Sequence, residues 1–440
     1  MVYCRLFVSK TIFIYFCKVK KKKEISSSKF IEKLLLRISG NKKTILWSAI
    51  LSLILLVLTY FYNNLPLFTG ENLVELAASE WLKETIFGEH DELKDSVLLI
   101  NVSYDKQLTG IYTTQQEKVA DIDGNDAIGN TEITDREKLY KLLSALKGKN
   151  YKYIFLDIAF SNNLAATPVD DKLFKLIEGM ERIVVAYDRR NAGVKGLVDS
   201  VKMWPKVGCV NYKSTIAETN FKRLRLIQGG MASMPLKVYQ ELDSQDVCKH
   251  GIIYTSNSHL CYNSIFVDFP FEIEGNNPHD YYRYLSRELG HYDVEDSVTV
   301  ANDCDNRYVV IGDIENDLHD TYAGMQPGSI LMYNAYQHIK KGYHLVRLMY
   351  AVSFFLLYFF ISFLILKRMN LLYKIPLIKK SKSDLIHFLV DMVGYGIILL
   401  IVAVVVHIFC HRSISIFLPT LYFSIMKFIV NLKHSKAVKK

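Results

Sequence analysis

The 440 residues are 50% hydrophobic, 12% aromatic and 22% charged, a composition that excludes a disordered chain and has room for two or three domains. The formal net charge of +9 averages over three blocks: residues 1–66 carry 12 Lys+Arg against 2 Asp+Glu, residues 344–440 carry 13 against 2, and residues 67–343 carry 29 against 41. The bases gather beside apolar runs and the foldable middle is acidic, which argues against nucleic acid as a partner, because phosphate recognition needs bases on a folded face.

In chain order, residues 1–43 form a basic N-terminal segment. Residues 6–16 (LFVSKTIFIYF) are apolar but short and interrupted by Lys10, which fits an interfacial segment or an overextended start better than a span. In residues 28–38, Phe30, Ile31, Leu34, Leu35 and Ile38 share one helical face and Lys29, Lys33 and Arg37 take the rest, a pattern suited to membrane lipid at an anionic inner leaflet. From Thr44 to Tyr62 the chain is free of charge, about 28 Å of helix, and this predicts a first membrane span over 44–66.

The block 67–343 alternates apolar runs of strand length with helical patterns. Strands are predicted at Val97–Val102, Tyr153–Ile158, Ile183–Tyr187, Ile265–Phe269 and Tyr308–Ile314; helices at Asp135–Leu146, Asp171–Met180, Pro235–Leu242, His279–Leu289 and Ser329–Ile339. The fold class expected is α/β, a mixed sheet covered by helices. The polar stretch Thr113–Thr131 reads as a surface loop.

Three further spans follow, over 344–366, 385–409 and 413–432. Asp391 interrupts the second of these, and Pro419 and Lys427 the last, with Lys427 able to snorkel to the headgroups. A basic loop, 367–384, separates two of the spans, and the tail is 433–440. With four spans, the basic clusters all fall on one side, so the positive-inside rule puts both termini in the cytoplasm. Residues 67–343 then lie in the periplasm or outside the cell, on a bacterial inner membrane.

From Val97 onward the chain resembles the second type of CHASE domain, the sensory extracellular domain associated with cyclases and histidine kinases. The pieces that carry the resemblance begin with VLLINVSYD ending at Asp105, then REKLYKLLSALKGKNYKYIFLDIAFS with Asp157 and Phe160, then DDKLFKLI at Asp170 and Asp171, and IVVAY. VGCVNY with Asn211, FKRLRLI with Arg223 and Arg225, the helix begun at Pro235, and IFVDFPFE follow. The most specific is YVVIGDIENDLHDTYAGMQPGSILMYNAYQHIKKG, with Gly312, His319, Asp320, an MQPG turn at Pro327 and Gly328, and Asn334. The resemblance implies a sensor whose last helix runs into a cluster of spans. The chain departs from the family where its Trp-Pro-Arg segment is reduced to ITDRE with Arg136, and where the strand after Tyr308 lacks a Gly-Ala-Thr run. Eight residues follow Leu432, so the expected effector is a separate cytoplasmic or membrane protein.

Asp391 is a candidate signal-transmitting residue because an acid in a span is costly, and Gly394 and Gly396 beyond it allow close helix approach. His319, Asp320, Pro327, Gly328 and Asn334 are expected to shape the junction between the last strand and a stalk helix. Cys209, Cys248, Cys261 and Cys304 allow three pairings; Cys248 and Cys261, bracketing an apparent hairpin, are the preferred disulfide, and small buried thiols are the alternative. Asp303, Asp305, Asp313, Asp317, His319 and Asp320 lack the spacing of a calcium loop and read as solvated acids, so no metal is expected. No nucleophile elbow, phosphate loop or zinc motif occurs, and neither catalytic residues nor a cofactor are expected. The reading is a membrane-anchored sensor with an unknown extracytoplasmic ligand, a separate effector and a possible homodimer interface. A structural or assembly component of a bacterial envelope complex is the alternative.

Overall fold

The computed structural model describes residues 42–64, 82, 96–112, 127–160, 166–188, 204–211, 223–267, 286–292, 297–321, 324–368, 384–410 and 415–438. The N-terminal segments 6–16 and 28–38 and most of the basic loop lie outside the described residues. In chain order come α1 (Lys42–Asn64), β1 (Val97–Asn101), β2 (Lys106–Tyr112), β3 (Ala127–Thr134), α2 (Arg136–Leu146), β4 (Tyr153–Asp157), α3 (Asp170–Glu178) and β5 (Ile183–Tyr187). Then follow β6 (Val207–Cys209), β7 (Arg223–Arg225), β8 (Ile227–Gln228), β9 (Met231–Ala232), α4 (Met234–Asp243), β10 (Val247–His250), β11 (Ile253–Ser256), β12 (His259–Cys261) and β13 (Ser264–Phe266). The rest is β14 (Ser286–Glu288), α5 (Ser297–Cys304), β15 (Tyr308–Gly312), β16 (Leu318–Thr321), β17 (Gly324–Pro327), α6 (Gly328–Lys340), α7 (Leu348–Leu366), α8 (Asp384–Cys410) and α9 (Phe417–Val438). The chain divides into two units, one of Thr59–Leu348 with Gly396–Leu418, the other of Met1–Leu58, Met349–Tyr395 and Pro419–Lys440.

The first unit is built on a six-stranded sheet in the order β14-β1-β15-β4-β5-β6, and every neighbouring pair is parallel. The sheet is therefore not mixed as expected; antiparallel pairing is confined to small satellite sheets. The near-continuous apolar residues of β1, β4, β5 and β15 need cover on both faces, which helical crossovers between parallel strands supply. On one face Val97, Leu99, Tyr153, Phe155 and Val310 pack with Leu236 of α4 and Ile330, Tyr333 and Tyr336 of α6. On the other Leu98, Ile100, Ile154, Leu156 and Val309 pack with Leu139 and Leu143 of α2, Leu173 of α3 and Val300 of α5.

α2 starts where Asp135 accepts hydrogen bonds from the Glu137 and Lys138 amides, an N-cap. α6 has all residues from Gly328 to Ile339 buried, so it is a core helix and not the stalk expected from its position in the chain. MQPG is not a turn either: Gly324–Pro327 is β17, antiparallel to β16, and the chain reverses before it. At its described end, the helix expected over His279–Leu289 is β14 followed by a 3-10 turn at Leu289–Tyr292, because β1 has a second edge whose backbone groups need partners. The surface loop expected to Thr131 ends sooner, since β3 pairs with β2; residues 113–126 lie outside the described residues.

The expected Cys248–Cys261 disulfide does not form. Cys248 pairs with Thr255 and Cys261 with Tyr254, so β11 lies between them, two strand spacings or about 10 Å, beyond the reach of a disulfide. Thr255 and Tyr254 also point to opposite faces, and Cys248 is exposed while Cys261 is buried. Cys248 and Cys261 are both free thiols.

Among the described residues three helices are long and apolar enough to cross a membrane, α1, α7 and the Phe388–Val406 stretch of α8, which makes this a multi-pass membrane protein. The apolar part of α9, Phe417–Leu432, is shorter. Within the second unit the helices meet through small and polar seams: Ser52 Oγ lies 3.4 Å from Ser362 Oγ, and Tyr422 donates to the Leu51 carbonyl at 3.2 Å.

Candidate functional site

Because the sheet is parallel, all its strands end at one edge. β15 comes last of the six but inserts between β1 and β4, so Asn101, Gly312 and Asp157 stand side by side in register. A strand order that reverses in this way leaves a crevice outside the carboxyl ends, where open parallel sheets bind ligands. A Cβ on Gly312 would lie 2.7 Å from Ser329 Cβ, so only glycine lets the start of α6 approach this close.

Asn101 is fully buried and organises the edge. Its Oδ1 accepts from the amides of Ser103 at 3.0 Å and Ile314 at 3.3 Å, and its Nδ2 donates to Glu288 at 3.3 Å and Glu315 at 3.4 Å. Ser103 Oγ is within reach of both Asn101 Oδ1 and Asp313, and accepts from the Glu315 amide. Tyr104 donates to Glu315. Burial raises the Asp313 carboxyl, but hydrogen bonds from Lys106 at 2.8 Å, Ser103 and the Asn316 amide outweigh it and hold it below the ordinary carboxylate range. Asp105 accepts from Lys138 at 2.7 Å and from the Gly290 amide at 2.9 Å.

On the α6 face, Asp157 lies next to Asp317. Burial first, and the Asp317 charge second, push the Asp157 carboxyl up to about 7. Asp317 lies 3.1 Å from His319 Nε2, and its carbonyl accepts from the Gly328 amide at 2.9 Å, so the charged edge is joined to the first residue of α6. Across the sheet, Arg136 is buried against Phe160, 4.3 Å from the ring, with Asp170 at 3.9 Å; burial lowers the guanidinium to about 10.

The edge thus brings together His319 and Gly328 from the residues named on sequence, with Pro327 closing β17 against Leu318. Asp320 is exposed in β16 opposite Met325, and Asn334 is fully buried within α6, away from the strand ends. Asp391 is elsewhere, in α8, where Lys427 of α9 reaches it at 2.6 Å with the two side chains 15% and 12% exposed. Lys427 thus reaches an acid on a neighbouring helix, and the cost of each charge in an apolar helix is met by the other. Gly394 is buried and Gly396 half-buried one turn beyond Asp391.

No family model, curated protein or solved structure matches this chain. Its chemistry rests on the residues alone. Among the described residues no cluster of His, Cys, Asp and Glu could hold a metal ion. The edge instead presents fixed donors and acceptors together with several carboxylates, an arrangement suited to binding a polar group.

Sequence reasoning passed over Asn101, Ser103, Lys106, Glu288 and Ser329 as site residues. Of these, Asn101 has a signal in the sequence, a polar residue closing the apolar run VLLIN, as Asp157 closes YIFLD and Asp313 follows YVVIG.

Proposed function

We propose that this chain is a membrane-anchored sensor of the second CHASE type. Its domain 67–343 is exported, takes up a ligand or registers envelope state at the strand-end edge, and passes the change through the spans to a separate effector. The observation that carries the reading is the path of α6. The helix starts at the edge, where its first amide bonds to Asp317, stays buried from Gly328 to Ile339, and leads within eight residues into α7. A shift of that edge therefore has a rigid element to act on, provided the ligand binds two arrangements with different affinity.

The finer topology belongs to the same proposal: α9 is the fourth span, both termini are cytoplasmic, and the partners are membrane lipid, an extracytoplasmic ligand, an effector and a second copy of the chain. Reporter fusions at residues 200 and 440 test the sidedness, with opposite signals expected. Photo-crosslinking from the loop 367–384 in native membranes tests the function. Recovery of a kinase, cyclase or phosphatase supports sensing, whereas recovery of envelope-assembly proteins supports a structural component and overturns it.

A further inference from the structure

The last turn of α1 is held by the domain through an unusual set of bonds. The Tyr60 hydroxyl donates to the Cys261 carbonyl at 3.2 Å and accepts from the Tyr254 amide at 3.3 Å. Tyr254 and Cys261 are cross-strand partners in β11 and β12, so this hydroxyl bridges two backbone groups within a strand pair. One turn on, Asn64 Oδ1 accepts from the Asn263 amide at 2.7 Å, and Arg223 donates to the Asn63 carbonyl at 3.3 Å.

The same few residues grip the chain that runs into α7. The Tyr262 amide donates to the His344 carbonyl and the Val346 amide to the Leu260 carbonyl, each at 2.8 Å, with Cys261 opposite Leu345 as an antiparallel bridge. Asn263 ties the segment to the rest of the domain. Its carbonyl accepts from the Leu226 amide at 2.8 Å, its Oδ1 from the Ile227 amide at 2.8 Å, and its Nδ2 donates to the Ile227 carbonyl at 3.2 Å.

We infer that residues 260–263 are a clasp that couples the first membrane helix to the second, so that neither anchor moves relative to the domain without the other. Two features of the bonding require this. Each anchor is bound to the backbone of the same four residues, and those residues are bound through Asn263 to β8, leaving no slack between the two attachments. A short backbone segment with its groups committed on both sides shifts as a unit or opens as a unit. The coupling does not depend on what the domain senses and holds equally for a structural component.

The test is hydrogen exchange by mass spectrometry on the full-length protein in lipid nanodiscs. Tyr60→Phe keeps the ring and removes only the bridging hydroxyl. The clasp expects exchange to rise, by about fivefold for each of the two hydrogen bonds the hydroxyl makes, in peptides covering 254–263 and also in the peptide covering 341–347, which lies beyond both of those bonds. Asn64→Ala, which removes the acceptor for the Asn263 amide together with the 3.2 Å bond from Asn64 Nδ2 to the Tyr60 carbonyl, is measured in parallel and expects the same spread. A rise confined to 254–263 in both variants overturns the coupling.

Discussion

Asp157→Asn separates stability from function at the strand-end edge. The carboxyl is raised from 3.8 to about 7, and about three pH units at about 1.4 kcal/mol each bound the effect at about 4 kcal/mol. Because the folded value lies above the unfolded one, the folded protein holds the proton more tightly. The contribution is fully present below pH 4, is lost as pH rises toward 7, and leaves a constant deficit above that. Asparagine cannot ionise, so the variant matches the wild type near pH 4 and exceeds it at pH 8 by up to about 4 kcal/mol, less where the partial exposure of Asp157 relieves the charge. Denaturant unfolding of the full-length protein in detergent, followed by tryptophan fluorescence across pH 4–8, measures the difference. A difference that does not change with pH refutes the placement of an ionisable carboxyl against Asp317. A gain at pH 8 marks a residue retained at the expense of stability, as binding sites are.

Two other outcomes follow from particular contacts. Lys427→Ala leaves Asp391 uncompensated and should cost about 3–5 kcal/mol, whereas the double variant with Asp391→Asn recovers most of that; equal losses in single and double variants in a nanodisc unfolding series would remove the ion pair from the account. Of Cys209, Cys248, Cys261 and Cys304, maleimide should modify the exposed Cys248 quickly in the native protein and spare the three buried ones, the Cys261 thiol being pushed by burial up to about 12. Labelling of Cys248 that requires prior reduction would restore a disulfide.

The strands and helices of the domain were legible because their signals are local. VLLIN, YIFLD, IVVAY and YVVIG are apolar at every position facing either core, and REKLYKLLSAL repeats its leucines at helical spacing. Strand direction was not legible, since a run buried on both faces reads the same in a parallel and a mixed sheet. Ser286–Glu288 carries no strand signal at all; two of its three residues are charged, and its pairing is imposed by the free edge of β1. The cysteine pairing failed for a related reason, because spacing suggested one hairpin where the chain makes three strands. Asp157, Asp317 and His319 are each visible in the sequence as polar residues after apolar runs. Their convergence depends on β15 inserting between β1 and β4, which no residue spacing encodes. Lys427 and Asp391 are likewise partners only because two helices pack.

The edge and the clasp lie at opposite ends of α6, whose 13 residues span about 20 Å. Between them the helix is packed on all sides, with Tyr333 and Tyr336 against Phe155 and Tyr308, and an interior at that density does not deform continuously. Under the proposed function, a change at Asp317 therefore moves α6 and the domain as a body, and the bonds at residues 260–263 are kept. The amides of Tyr262 and Val346 then remain protected together with that of Asn263. Each backbone hydrogen bond is worth about 0.5–1.5 kcal/mol, so exchange at Tyr262 and Val346 while Asn263 stays protected would show that the segment opens on one side only, and would refute it as a clasp that acts as a unit.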